Sequence, residues 1–135
     1  MEKKAEETRL VVLDTSIFVD FLREYLPALS FFSSFVSKEY DRVLFSAITA
    51  TELISGKSCN NSAIKSKVEH MLASLAEIEV SHKIAVFAGD IRRKYDIDIP
   101  DAVVAATALS NKAELLTKNV GDFKDIEGLI VREPY

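Results

Sequence analysis

Val11-Val12-Leu13-Asp14-Thr15-Ser16 decides the fold. The apolar, mostly β-branched residues continue a run from Arg9 to Leu13 that reads as a short buried strand. An acid closes it, and Thr15 or Ser16 can then cap a helix through Ile17, Phe18, Phe21 and Leu22, whose spacing marks one apolar face. A strand that passes straight into a helix is the opening of an α/β unit.

The same junction recurs along the chain. Val43-Leu44-Phe45 predicts a second strand, and Ser46 starts a helix that carries Glu52 and stops near Gly56. After a polar loop from Ser58 to Ser62, the residues Ile64, Val68, Met71, Leu72 and Leu75 repeat at helical spacing. Ile78 and Val80 predict a short strand, and Ser81 caps a helix with Ile84, Phe87, Ala88 and Ile91 inward. Asp96 to Pro100 is a turn, Pro100 suits the first helical position, and Ala102 to Leu109 is a helix of small residues. Ala113 to Thr117 and Leu129 to Val131 are the last strands. Strands alternating with helices predict an α/β domain with a mainly parallel sheet and helices on both faces. Pro27 interrupts the first helical pattern, and a second helix holds Leu29, Phe31, Phe32, Phe35 and Val36. That aromatic stripe is either ordinary core or a homodimer or partner surface.

The chain has 135 residues, 48% of them apolar and 28% charged, enough for one globular core. Residues 1–8 are expected to be a frayed tail and residues 9–135 a single domain. Cys59 is the sole cysteine, which excludes an internal disulfide and a thiolate zinc cluster and fits a reducing cytoplasm. No apolar run approaches the roughly 18 residues of a membrane span, so no membrane partner is expected. The formal charge of −4 argues mildly against a nucleic-acid binder, although clustered acids that bind metal would bias that count.

Four acids stand at or near strand-to-helix junctions. Asp14 ends the first strand, Glu52 lies beyond the second, Asp101 opens the small-residue helix, and Asp122 follows the strand around Leu115 and Leu116. A parallel sheet brings such positions together at its carboxyl edge. Carboxylates so gathered repel one another unless a cation sits among them, and Mg²⁺ or Mn²⁺ is the natural candidate. Each acid also has a plainer reading: Asp14 as a helix cap, Glu52 as surface, Asp101 as a partner of its helix dipole, Asp122 as a turn residue. Thr15 and Ser16 make an Asp14 cap redundant, and the apolar neighbours of Glu52 predict that it faces inward. Asp96 and Asp98 belong to a polar turn and are expected to face solvent. There is no glycine-rich phosphate loop, His70 and His82 are isolated, and Ser16 has no histidine partner for a hydrolase triad.

Val11-Val12-Leu13-Asp14-Thr15-Ser16, Thr51-Glu52-Leu53-Ile54-Ser55-Gly56, Ile99-Pro100-Asp101-Ala102-Val103-Val104 and Leu116-Thr117-Lys118-Asn119-Val120-Gly121-Asp122-Phe123 resemble the motifs of PIN-domain nucleases. The likeness is greatest to the VapC-like toxins of type II toxin–antitoxin modules and spans roughly Leu10 to Val131. It implies a PIN-like α/β/α sandwich and a metal-dependent endoribonuclease. By position, Asp14, Glu52, Asp101 and Asp122 match the acidic quartet that holds Mg²⁺ or Mn²⁺, with either Asn119 or Asp122 in the fourth place. Thr15, Ser16 and Thr117 match its supporting hydroxyls. The resemblance further implies a homodimer neutralised by a cognate antitoxin, and RNA cut by a metal-activated water to leave 5′-phosphate and 3′-hydroxyl ends.

Basic residues that could steer RNA are Arg92, Arg93 and Lys94 at the end of one helix, with Lys57 and Lys118 near the acidic motifs. Three other readings compete: a housekeeping RNA-processing nuclease, a non-catalytic interaction module on the same fold, and a phosphoacceptor receiver domain. The intact acidic set speaks against the second. Against the third, Asp14 is followed by two hydroxyls rather than by a second acid.

Overall fold

A computed structural model describes residues 8–35 and 39–135. The expected tail therefore falls almost wholly outside the described residues, as does Val36, and nothing is described of the Phe35 side chain.

Five strands form one sheet in the order β3-β2-β1-β4-β5, with every pair parallel. They are β1 (Leu10–Leu13), β2 (Arg42–Ser46), β3 (Ala76–Ile78), β4 (Glu114–Leu116) and β5 (Val131–Arg132). Among the described residues the bounded α-helices are α1 (Thr15–Leu22), α2 (Leu26–Ser30), α3 (Ala47–Ile54), α4 (Ser62–Ala73), α5 (His82–Tyr95), α6 (Ile99–Ser110) and α7 (Val120–Phe123). Parallel strands need crossovers, and these helices supply them on both faces.

The period of two along each strand builds two cores. Val12, Leu44 and Leu115 point to one face and pack with Ile84, Ala88 and Ile91 of α5 and with α6. Val11, Leu13, Phe45 and Leu116 point to the other and pack with Ile17, Phe18, Leu53, Val68 and Leu72. Helix α6 is buried continuously from Ala102 to Ala108, so it is a layer of core rather than a surface helix. The α/β/α sandwich expected from the alternation is what forms.

Local chemistry sets many of the ends. Ser46 caps α3 by accepting from Ile48 N, and Ser81 caps α5 by accepting from Ile84 N. Asn61, at the end of a 3₁₀ turn (Lys57–Asn60) inside the expected polar loop, caps α4 through two backbone N–H groups. Pro27 lies in the first turn of α2, so it opens that helix as well as ending the pattern before it. Both edge strands sit one or two residues from their expected places. β3 stops at Ile78 and leaves Val80 exposed, and Gly128, at φ +82°, turns the chain before β5.

At Phe31 and Phe32 the aromatic stripe turns inward and takes the core alternative of its two readings. α2 runs into a π-helical turn (Phe31–Phe35) that presents Phe31 and Phe32 to α1. Phe31 is 4% exposed, and Phe32 packs on Phe18, Phe21 and Phe31 with ring centroids 4.7–6.1 Å apart. Phe31→Ala is therefore expected to cost about 3–5 kcal/mol in a urea melt, the usual loss for a buried phenylalanine. The molecular mass by light scattering should stay as in the wild type; a variant of undiminished stability but smaller mass would return the stripe to an interface.

Candidate active site

The carboxyl ends of β1 and β4 meet around one carboxylate. Asp14 occupies the N-cap position of α1 and is 4% exposed, yet its side chain makes no capping bond. Its Oδ2 accepts instead from Ser16 Oγ at 3.0 Å and from Thr117 Oγ1 at 2.8 Å. Each hydroxyl in turn accepts a backbone N–H from the turn after β4. Lys118 N reaches Ser16 Oγ at 3.1 Å, and Asn119 N reaches Thr117 Oγ1 at 3.0 Å. Asp14 N closes the junction by donating to Leu116 O at 3.0 Å. All these side-chain bonds end on Oδ2. No buried side-chain oxygen among the described residues lacks a partner, so Oδ1 keeps contact with solvent.

Thr15 and Ser16 thus do not cap α1, as the sequence suggested; the helix starts at Thr15 and both hydroxyls serve carboxylates. The Thr15 hydroxyl donates to Glu52 Oε1 at 2.8 Å and lies 3.0 Å from Thr49 Oγ1. Glu52 does not face inward either. Thr49 and Leu53 take the buried positions of α3 and leave Glu52 exposed, tied to α1 by that one bond. Thr49, wholly buried beneath the contact, is a supporting residue that the sequence reading passed over. Its signal was there: a hydroxyl three residues before Glu52 shares its helix face.

Asp101 lies in the first turn of α6, half-buried, behind an N-cap position held by Asp98. Burial pushes its carboxyl up to about 6, helped by the charges of Asp14, Asp122, Glu52 and Asp98 in falling order. Four acids from four elements therefore share one electrostatic neighbourhood. Asp122 is exposed in the first turn of α7, and Asn119 precedes that helix without capping it. Asp96 and Asp98 are exposed, as their turn predicted.

Among the described residues no three acidic, histidine or cysteine side chains close tightly enough to cage an ion unaided. The arrangement is an open, oxygen-only donor set with excess negative charge. That fits Mg²⁺ or Mn²⁺: Mg²⁺ keeps several of its own waters and needs only one or two carboxylates.

The expected basic residues are mostly engaged elsewhere. Lys118 Nζ donates to Tyr135 O at 2.6 Å, pairs with Glu133 at 2.8 Å and lies 4.4 Å from the centre of the Tyr135 ring. Arg92 donates to Ile97 O, Arg93 pairs with Asp90, and Lys94 stands 3.8 Å from Glu127. Lys57 is exposed in the turn after α3, beside the acidic helix.

The PIN domain family model matches residues 11–129. This chain belongs to the PIN domain family. By sequence no curated protein matches it. Among solved structures, a chain of a toxin–antitoxin complex from Klebsiella pneumoniae is 26% identical with a TM-score of 0.77, over 93% of this chain and 98% of that one. A chain of VapBC2 from Rickettsia felis, bound to a promoter DNA fragment, is 25% identical with a TM-score of 0.78, over 92% and 98%. DNA-bound VapBC from Salmonella typhimurium, 23% identical with a TM-score of 0.80 over 96% and 100%, shares the fold. The PIN chain has no described helix long and apolar enough to cross a membrane.

Two measurements probe this PIN site directly. Thr117→Val strands Asn119 N and takes one donor from Asp14, so it should cost about 1–3 kcal/mol in urea. An unchanged midpoint would mean that the hydroxyl holds nothing. The second concerns Asp101. Its folded value lies above its ordinary 3.8, so the folded chain keeps a proton that the unfolded chain releases. The resulting stability is full below the unfolded value and is lost as pH rises through the folded one. Asp101→Asn cannot ionise. In EDTA its melting-temperature advantage over the wild type should grow from about pH 4 to about pH 7. A flat difference would remove the charge crowding.

Proposed function

We propose that this chain is a divalent-metal-dependent endoribonuclease and the toxin of a toxin–antitoxin pair, acting in the cytoplasm. The observation that carries the reading is the field at Asp101, where acids distant in sequence act on one carboxyl. Structural likeness to chains of toxin–antitoxin complexes supports the toxin half.

Asp14 through Oδ1, together with Asp101, would hold Mg²⁺ or Mn²⁺, with Glu52 and either Asp122 or Asn119 completing the set through water. The bound ion would relieve charge at the scissile phosphate and lower the pKa of a water. The chain's own groups do the positioning. Ser16 and Thr117 fix the Asp14 carboxylate in one rotamer, and outer hydrogen bonds of this kind orient ligands and tune their basicity. Thr15 fixes Glu52, whose free oxygen can accept a proton from an attacking water. Hydrolysis by water at the 3′-oxygen side leaves 5′-phosphate and 3′-hydroxyl ends.

A cognate antitoxin would neutralise the enzyme by setting a cation of its own among these acids, in competition with the metal. The reading retains a homodimer, with its contact outside the Phe31 and Phe32 cluster.

Asp14→Asn is expected to lower RNA turnover by about a hundredfold or more, as when one charge-stabilising group is removed from an active site. The fold should persist, since the amide oxygen still accepts from Ser16 and Thr117. Millimolar Mn²⁺ should raise the wild-type melting temperature and raise that of the variant less. Purified protein, total RNA, Mn²⁺ or EDTA, and mapping of the product ends test the whole proposal. Wild-type turnover in the variant would sink it.

A further inference from the structure

A cleft of about 570 Å³ opens beside the acidic pocket, and Thr15 and Glu52 belong to its wall. Val19, Leu22 and Leu53 give it an apolar lining, and α4 closes the far side with Lys67. Arg23, just past the end of α1, lines it as well. Its volume is that of a site for a small organic unit, within the usual range of roughly 300–1,000 Å³.

Its two cations are unpaired, as are Arg42, Lys57, Lys65, Lys83, Lys112 and Lys124 among the described residues, but Arg23 and Lys67 share one cleft wall. Arg9 and Arg132 pair with Glu114, Arg93 with Asp90, Lys94 with Glu127 and Lys118 with Glu133. Arg23 and Lys67 make no ion pair and no side-chain hydrogen bond among the described residues, although Glu52 lines the same cleft. Two uncompensated positive charges in a concave wall next to a phosphodiester-cleaving site attract an anion. An acidic chain needs such a place, because its carboxylates repel the polyanion it is to cut.

We propose that Arg23 and Lys67 bind phosphates of the RNA strand where it leaves the acidic pocket on the Glu52 side, with an intervening nucleotide against the apolar lining. The inference rests on the ribonuclease reading and adds the residues that seat its substrate. A protein segment without acidic residues would be served by the apolar lining alone, whereas RNA uses both cations through its phosphates, so RNA is the favoured occupant. Arg23 and Lys67 are positioning residues here: they hold the strand in register with the acids and touch no reacting atom.

The test compares wild type, Arg23→Ala with Lys67→Ala, the swap Arg23→Lys with Lys67→Arg, and the control Lys65→Ala with Lys83→Ala. The control pair are exposed cations that line no part of this cleft. The probe is a labelled single-stranded RNA of mixed sequence, followed by cleavage in Mn²⁺ and by anisotropy in EDTA across a salt series. The alanine pair should raise KM on the order of tenfold and leave kcat within about twofold, the signature of lost uniform binding. Its salt slope should fall by about 1.4, the share of two phosphates on a single strand. The swap should restore most of the binding, the control should resemble the wild type, and all melting temperatures should agree. An alanine pair with wild-type KM and slope overturns the proposal, and so does an equal loss in the control. Unchanged RNA parameters with lost capture of a co-expressed protein would assign the cleft to a protein partner and likewise overturn it. If the wild type neither binds nor cuts RNA, the ribonuclease reading falls and takes the inference with it. The other overturning results leave the wild type active, so the two failures are told apart.

Discussion

A carboxylate buried at the tip of the central strand has to be satisfied, and the rest of the site follows from how that is done. An unpaired buried charge is costly. Asp14 meets the demand with two hydroxyl donors, one from its own helix and one from the end of β4. Those bonds hold only while β1 and β4 keep their register, Leu13 opposite Leu116. The same requirement fixes the turn at Lys118 and Asn119, whose N–H groups complete the two hydroxyls. The solvation of one side chain thus ties the sheet, α1 and the approach to α7 into a single geometry.

Asp101 is brought to that point by a different force. Helix α6 is buried from Ala102 to Ala108, so its first turn is fixed by core packing rather than by electrostatics. The helix cannot swing away to relieve repulsion from Asp14, Asp122 and Glu52. The strain appears instead in the affinity of Asp101 for a proton. Where local preference loses to global packing in this way, a functional site is the usual reason.

Much of this was legible in the sequence because its causes are local. Strand and helix alternation, the caps at Ser46 and Ser81, and the buried α6 all follow from patterns within a few residues. The carboxyl-edge placement of the acids follows from topology once the strands are parallel. What was not legible depends on partners far along the chain. Glu52 reads as inward from its neighbours in sequence, yet α3 buries Thr49 and Leu53 instead; for Phe31 the neighbours leave core and interface both open, and the π turn sends it into the core. The short edge strands β3 and β5 are bounded by pairing rather than composition, so Val80 and Leu129 fell outside them. Basic residues show the same limit. A cluster such as Arg92, Arg93 and Lys94 is conspicuous in sequence, but Asp90, Ile97 O and Glu127 already occupy it.

Charge is therefore better read from what remains unpaired than from totals. At the amino edge of the sheet, Arg9 lies between Glu39 and Glu114, and Arg132 bonds to Glu114 and Tyr40. The arginines remain partly exposed, so solvent screens each pair and holds it to the order of 1 kcal/mol, and their effect is to leave that edge balanced. At the carboxyl edge the acids stand without cationic partners, and the cations of the neighbouring cleft stand without acids. Nothing in folding requires this asymmetry, since pairing Arg23 or Lys67 with Glu52 would relieve both sides. Separated charges of opposite sign within one short reach are what a metal and a phosphate chain, arriving together, would neutralise at once.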